Sequence, residues 1–185
     1  KLSIESQAIQ DVKLIKHLTF LDTRGSLERV FCMKELSSLL RLNSIVQINR
    51  TKTLKKGTIR GMHFQRKPFQ ESKIIQCIKG SILDIVVDLR SDSNTYMQNF
   101  SIELSEARNE NLFIPEGFAH GFQSLTDNVE LLYLHSNYYN PDYEDGISPL
   151  DLSLKLKWPI KSYKLSKRDL SFKLLNENQI MEGFE

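Results

Sequence analysis

Short apolar runs alternate with polar turns along this chain, and within most runs the hydrophobic period is two. Segments 12–20, 27–32, 45–51, 58–65, 73–78, 82–89, 99–104, 112–114, 121–125 and 129–137 read as strands. Asp22-Thr-Arg-Gly25 is a turn, with Asp supplying a local hydrogen bond and Gly a permissive backbone. A basic turn, Leu54-Lys-Lys-Gly57, joins the strands at 45–51 and 58–65, and Lys79-Gly80 hinges the next pair. The run ILDIVVDL at 82–89 is β-branched and nearly continuous, as expected of a strand covered on both faces. Two segments depart from period two. KELSSLLR at 34–41 spaces its leucines as a short helix does. Ser166-Lys-Arg-Asp169 opens a C-terminal helix, with Ser166 as N-cap and Asp169 at the third helical position. About ten short strands with regular turn signals predict an all-β sandwich or barrel.

Composition narrows the class without changing that picture. At 185 residues, 40% hydrophobic and 26% charged, the chain suits one globular domain over 1–185. Strands occupy about 10–140, and 141–185 reads as a Pro/Asp/Gly loop followed by a C-terminal helical segment that closes the site. No repeat or low-complexity stretch marks a second domain. A net charge of +2 with no basic block argues against nucleic-acid and membrane-surface partners. Cys32 and Cys77 lie in apolar runs without metal spacing and are expected as buried free thiols. No apolar run approaches the ~20 residues of a membrane span, and no leader pattern is present, so a cytoplasmic protein is expected. The chain opens on Lys1 without a methionine, which is expected of a trimmed start.

The candidate chemistry gathers in GTIRGMHFQRKPFQESK, 57–73. Alternation places His63 and Gln65 on one face of an extended strand. The same rule sets Arg60 on the opposite face unless Gly61 marks a bulge. Downstream, PEGFAHGF carries His120 on a turn punctuated by Pro115 and Gly117. The two spacings resemble the two motifs of the cupin superfamily, which implies a double-sheet jelly roll with short peripheral helices. Metal-binding cupins carry a second histidine where this chain has Gln65, so the resemblance implies a dismantled metal site and a His63 free for other work.

RGMHFQ, VVDLR, SIELS, IPEGFAHGFQSL, the Tyr133-x5-Tyr139 pair, EDGI, KWP and SKRD occur in that order. Together they resemble the dTDP-4-dehydrorhamnose 3,5-epimerases over about Asp22 to Asp169, nearly the whole chain. Such enzymes act on a nucleotide-linked 4-keto-6-deoxyhexose, whose ketone acidifies the protons on carbons 3 and 5. Inversion needs a base on one face, a cation at the enolate oxygen and an acid on the other face, with no metal or redox cofactor. The resemblance implies His63 as base, Asp169 as the carboxylate that orients it, Lys73 at the enolate oxygen and Tyr133 as acid. Arg24 and Arg60 resemble the family's diphosphate-binding arginines, and Gln47 and Asn49 match polar nucleotide-site positions. Tyr139 matches the family's second tyrosine, which the resemblance implies at the sugar or nucleotide site. The resemblance to cupins implies His120 near His63, where it either tunes the base or serves the structure. His17 and His135 carry no motif. The resemblance also implies a homodimer with exchanged N-terminal strands, which places 10–32 in the interface and Arg24 at the partner's site. One departure is SLERVF, where Arg29 replaces an acidic residue in a region of nucleotide recognition.

Read from the residues alone, Asp169 serves equally well as a helix cap, Lys73 as a solvent-facing lysine and Tyr133 as a core tyrosine. Three functions compete. The leading one is the metal-free double epimerase, with single-carbon inversion of a CDP- or GDP-linked sugar as its variant. The others are a metal-dependent cupin using His63, Gln65, Glu71 and His120, and a sugar-binding jelly roll without catalysis.

Overall fold

The computed structural model describes residues 1–40 and 44–175. In chain order the strands are β1 (Leu2–Ser6), β2 (Lys13–His17), β3 (Thr19–Asp22) and β4 (Gly25–Glu28). After the short helix α1 (Ser37–Leu40) come β5 (Gln47–Thr53), β6 (Ile59–Gln65), β7 (Lys73–Lys79), β8 (Ser81–Asp88) and β9 (Asn99–Ser105). Then follow β10 (Glu110–Ile114), β11 (Phe118–Ser124), β12 (Val129–His135), β13 (Glu144–Gly146), a 3-10 turn at Leu152–Leu154, and α2 (Lys167–Ser171). A six-stranded sheet in the order β1-β2-β10-β7-β12-β5 faces a five-stranded sheet in the order β13-β6-β11-β8-β9, and every named pairing is antiparallel. The protein is a jelly roll, and β3 and β4 form a separate hairpin.

Side-chain alternation explains the packing. Ile75, Cys77, Ile82, Val86, Leu104, Leu112, Phe118, Phe122, Val129 and Leu131 meet between the sheets. The opposite face of β8 carries Ile85 and Val87, which pack with Ile59, Met62 and Phe64 of β6 and with Leu154 and Trp158 of the C-terminal segment. The double coverage read from ILDIVVDL therefore has two sources, the facing sheet and that segment. The outer face of the six-stranded sheet is covered by Leu36, just before α1, and Leu40 at its end. Cys77 is buried and its thiol is pushed up to about 11 by burial. Cys32 is only half-buried, and both cysteines are unpaired.

Several boundaries differ from the expected ones. The run at 12–20 is two strands in different sheets, because the chain leaves the six-stranded sheet at Leu18 and enters the hairpin. Both pieces are extended, so a period-two pattern runs across the break unmarked. The strand expected at 27–32 ends at Glu28, and β1 and β13 were not expected at all. Only Ser37–Leu40 is helical within 34–41, and Arg41 lies outside the described residues. The end of the C-terminal segment, 176–185, lies outside them too, while Ser166 caps α2 as expected by accepting from the Asp169 N–H.

The bulge anticipated at Gly61 is present. Between the pairs His120–His63 and Phe122–Arg60, β6 holds one residue more than β11. Gly61 takes φ +118°, and a Cβ there would lie 2.6 Å from both the Gly121 Cα and the His120 carbonyl oxygen. Only glycine meets both conditions. We therefore expect Gly61→Ala to lower stability by about 1–3 kcal/mol and to misdirect His63. Urea unfolding and an activity assay check this; an unshifted midpoint with full activity would remove the bulge from the argument.

Candidate active site

The two sheets part at one end around a cavity of about 730 Å³. The six-stranded sheet contributes Asn49, Thr51 and Thr53 from β5, Lys73 from β7, and Tyr133 and His135 from β12. Across from them, β6 contributes Arg60, His63 and Gln65, and β11 contributes His120. Both Arg60 and His63 face inward because the extra residue at Gly61 restores the same side to each. Glu144 of β13, Tyr139 and the residues of α2 close the mouth.

His63 and Asp169 meet through Nε2 and Oδ1 at 2.8 Å. The histidine side chain keeps 30% of its surface exposed while the carboxylate keeps 4%. Burial alone would raise the Asp169 carboxyl. The His63 bond and charge, the Ser166 hydroxyl and the backbone N–H of Gly61 outweigh it, and the group stays below the ordinary carboxylate range. Ser166 is the N-cap of α2, and Asp169 in its first turn gives its backbone N–H to that cap while its carboxylate meets His63. Phe172 sets its ring edge-on to His63 at a centroid distance of 5.7 Å. That position is open because residue 146 is glycine; a Cβ there would lie 2.3 Å from the Phe172 ring.

On the opposite wall, burial and then the charge of Asp84 push the Tyr133 phenol well above its ordinary range. A phenol so placed keeps its proton until a strong base arrives. The His120 ring lies at 5.9 Å from the Tyr133 ring, and its Nε2 meets Asp84 Oδ2 at 2.9 Å. Lys73 is nearly buried, with its ammonium 3.1 Å from Glu71.

Most residues singled out from sequence come together here. His63, Asp169, Lys73, Tyr133, Asn49, Arg60, His120 and Tyr139 line the cavity. Gln47 sits behind it, where its side-chain oxygen accepts from the Tyr139 N–H at 3.2 Å. Arg24 does not reach the cavity within one chain. It lies at the tip of the hairpin, 88% exposed, and pairs with Asp22.

The four side chains of the metal-dependent reading are engaged elsewhere. Gln65 binds the backbone of Phe69, Tyr138 and Asn140, and so anchors the loop that leads to Tyr139. His63 and His120 bond to Asp169 and Asp84, and Glu71 bonds to Lys73 and His135. Among the described residues no cluster of three or more His, Cys, Asp or Glu has the geometry to hold a metal ion.

The structure adds residues that sequence reasoning passed over. Glu144 accepts from the Tyr139 hydroxyl at 2.6 Å and pairs with Arg168 at 2.9 Å, which latches β13 to α2. Asp84 lies within the apolar run 82–89, where a carboxylate at an inward register is itself a signal. His135 carries no motif, yet it shares the face of Tyr133.

The family model of dTDP-4-dehydrorhamnose 3,5-epimerase matches residues 6–177. The enzyme of that name from Salmonella typhimurium is 36% identical over 177 residues, covering 95% of this chain and 96% of the relative. A crystal structure of dTDP-4-dehydrorhamnose 3,5-epimerase from Bacillus anthracis, with TDP and PPi bound, aligns with a TM-score of 0.91 at 36% identity and covers 95% and 100% of the two chains. The dTDP-6-deoxy-D-glucose-3,5-epimerase of Legionella pneumophila, in complex with dTDP-4-keto-L-rhamnose, aligns with a TM-score of 0.90 at 31% identity over 97% of each chain.

The depressed carboxyl of Asp169 has a consequence for stability. A group held low in the folded state stabilises the protein fully above its unfolded value, near about pH 4, and loses that contribution as pH falls through the folded value. The stability gap between wild type and Asp169→Asn should therefore narrow on acidification below about pH 4. Urea midpoints of both proteins across that range test this, and a constant gap would contradict it.

Proposed function

The chain belongs to the dTDP-4-dehydrorhamnose 3,5-epimerase family, and we propose from that premise how its cavity inverts carbons 3 and 5 of a nucleotide-linked 4-keto-6-deoxyhexose. The protein is an isomerase. The substrate we assign is dTDP-4-dehydro-6-deoxy-D-glucose and the product dTDP-4-dehydro-L-rhamnose. One observation carries the mechanism: the His63–Asp169 pair and Tyr133 stand on opposite sheets across a single cavity.

His63 takes the proton from carbon 3 or carbon 5, and Asp169 holds its imidazole in orientation and balances the charge that it gains. The electron pair left on carbon delocalises onto the ketone oxygen, where the Lys73 ammonium meets the developing negative charge. Tyr133 then returns a proton to the same carbon from the other face. The carbon is inverted, His63 holds one proton more and Tyr133 one fewer, and exchange with solvent restores both. The chemistry uses only side chains. Arg60 is held by Thr53 and the Lys52 carbonyl, which leaves the rest of its guanidinium for the diphosphate.

Assembly is part of the proposal. Leu21 and Leu27 are 80% and 72% exposed on the β3–β4 hairpin, an apolar surface that a second copy would cover. A homodimer built through 10–32 also carries Arg24 toward the partner's cavity. Unpaired Cys32 and Cys77 support a reducing, cytoplasmic setting. A monomer by light scattering at micromolar concentration, with full activity, would refute the dimer.

The mechanism is tested by incubating the protein with dTDP-, CDP- and GDP-linked 4-keto-6-deoxy sugars in heavy water. Wild type should place deuterium at both carbons of the dTDP sugar. His63→Ala should abolish exchange at both, since one base serves both centres; loss at one carbon only would mean two bases. Tyr133→Phe should keep exchanging with retained configuration while product falls by roughly 10²–10⁴-fold. If exchange and inversion fall together in that variant, Tyr133 is not the acid.

A further inference from the structure

Outside the base, acid and cation, the cavity holds a carboxylate–imidazole pair that the reaction above leaves unused. Lys73 and His135 stand directly opposite each other on β7 and β12. Side chains at such positions lie within reach of one another, and two nitrogen bases there compete for the same space. Glu71, in the loop two residues before Lys73, reaches between them. Its Oε1 lies 3.1 Å from the Lys73 ammonium, and its Oε2 lies 2.9 Å from Nδ1 of His135. All three side chains are nearly buried, with exposures of 7% for Glu71, 11% for Lys73 and 10% for His135. Nε2 of His135 faces the Asn49 amide at 3.4 Å, and its ring lies nearly parallel to that of Tyr133 at 6.0 Å. Burial would raise the Glu71 carboxyl, but the His135 bond and the Lys73 charge outweigh it and hold the group low.

We propose that Glu71 and His135 are positioning residues that fix the Lys73 ammonium where the enolate oxygen forms. The inference rests on the reading of Lys73 as the enolate cation. A lysine on a free four-carbon stem samples many rotamers, and an electrophile that must first be ordered loses much of its effect. Glu71 takes one of the three ammonium protons and leaves two for the ketone oxygen. His135 occupies the other carboxylate oxygen, so Glu71 cannot swing away from the lysine. The pair acts on the enolate and not on the nucleotide, so its effect belongs in kcat.

The test is a double-mutant cycle read by deuterium exchange and inversion in heavy water, with the dTDP-linked 4-keto-6-deoxy sugar. Glu71→Gln should lower kcat for exchange and for inversion together, on the order of 10²-fold, with KM unchanged. In a Lys73→Ala background the same substitution should cost nothing further, because the group that it positions is gone. His135→Ala should give a smaller loss of the same kind, and His135→Asn, which keeps a donor near the place of Nδ1, should restore most of it. Wild-type rates in Glu71→Gln, a change confined to KM, or a loss that adds in full to that of Lys73→Ala would each overturn the proposal. Should Glu71→Gln fail to fold, the two His135 variants decide by the same criteria. A wild-type protein that exchanges no deuterium at all would instead sink the function on which the inference rests.

Discussion

Between Arg60 and His63 the chain takes three steps along β6 while the facing strand takes two, and the site depends on that mismatch. Were β6 regular, three steps of alternation would turn either the guanidinium or the imidazole to the outer face, among Met62, Phe64 and Trp158. The bulge needs close backbone approach on both strands. A Cβ on Gly121 would lie 2.7 Å from the Met62 sulfur and 2.9 Å from the Arg60 carbonyl, so glycine is required opposite Gly61 as well. The backbone N–H of Gly61 also helps to hold the Asp169 carboxylate. One local irregularity thus aims His63 and helps to place Asp169.

The fold was legible because its signals are local. Period-two runs and turn residues located β5 through β12, and a continuous apolar run gave away the doubly covered β8. What escaped was whatever local pattern does not encode. The change of sheet at Leu18 leaves the chain extended on both sides, and β13 is three residues inside a polar loop. In the site, His63, Lys73, Tyr133 and Asp169 were found through motifs, since no spacing rule joins side chains from opposite sheets. The long-range partners had no such guide. Asp84 under His120, Glu144 on Arg168 and Glu71 on His135 are contacts that only the tertiary fold creates, although a charge at an inward strand position marked the first of them.

Three carboxylate–imidazole pairs surround the cavity, Asp169–His63, Asp84–His120 and Glu71–His135. Their environments separate them. Asp169 and Glu71 each accept from further donors and stay low, whereas burial holds Asp84 up against the pull of His120. Burial thus opposes the carboxylate charge most strongly at the pair behind Tyr133. At the mouth Asp169 keeps its negative charge against the His63 imidazole, the arrangement that the proposed base calls for.

His63 and Asp169 are joined late in the chain's own history. His63 belongs to β6, an inner strand whose neighbour β11 lies in the middle of the sequence, whereas Asp169 arrives on α2 after the last strand. Synthesis proceeds from the N-terminus, so both sheets can close on the ribosome before residue 169 emerges. Such a nascent shell would already possess a cavity with lysine and tyrosine in place, yet its histidine would lack a fixed tautomer. A chain that stops between Trp158 and Asp169 would keep the cover over the outer face of β8 while leaving His63 without the carboxylate that it bonds.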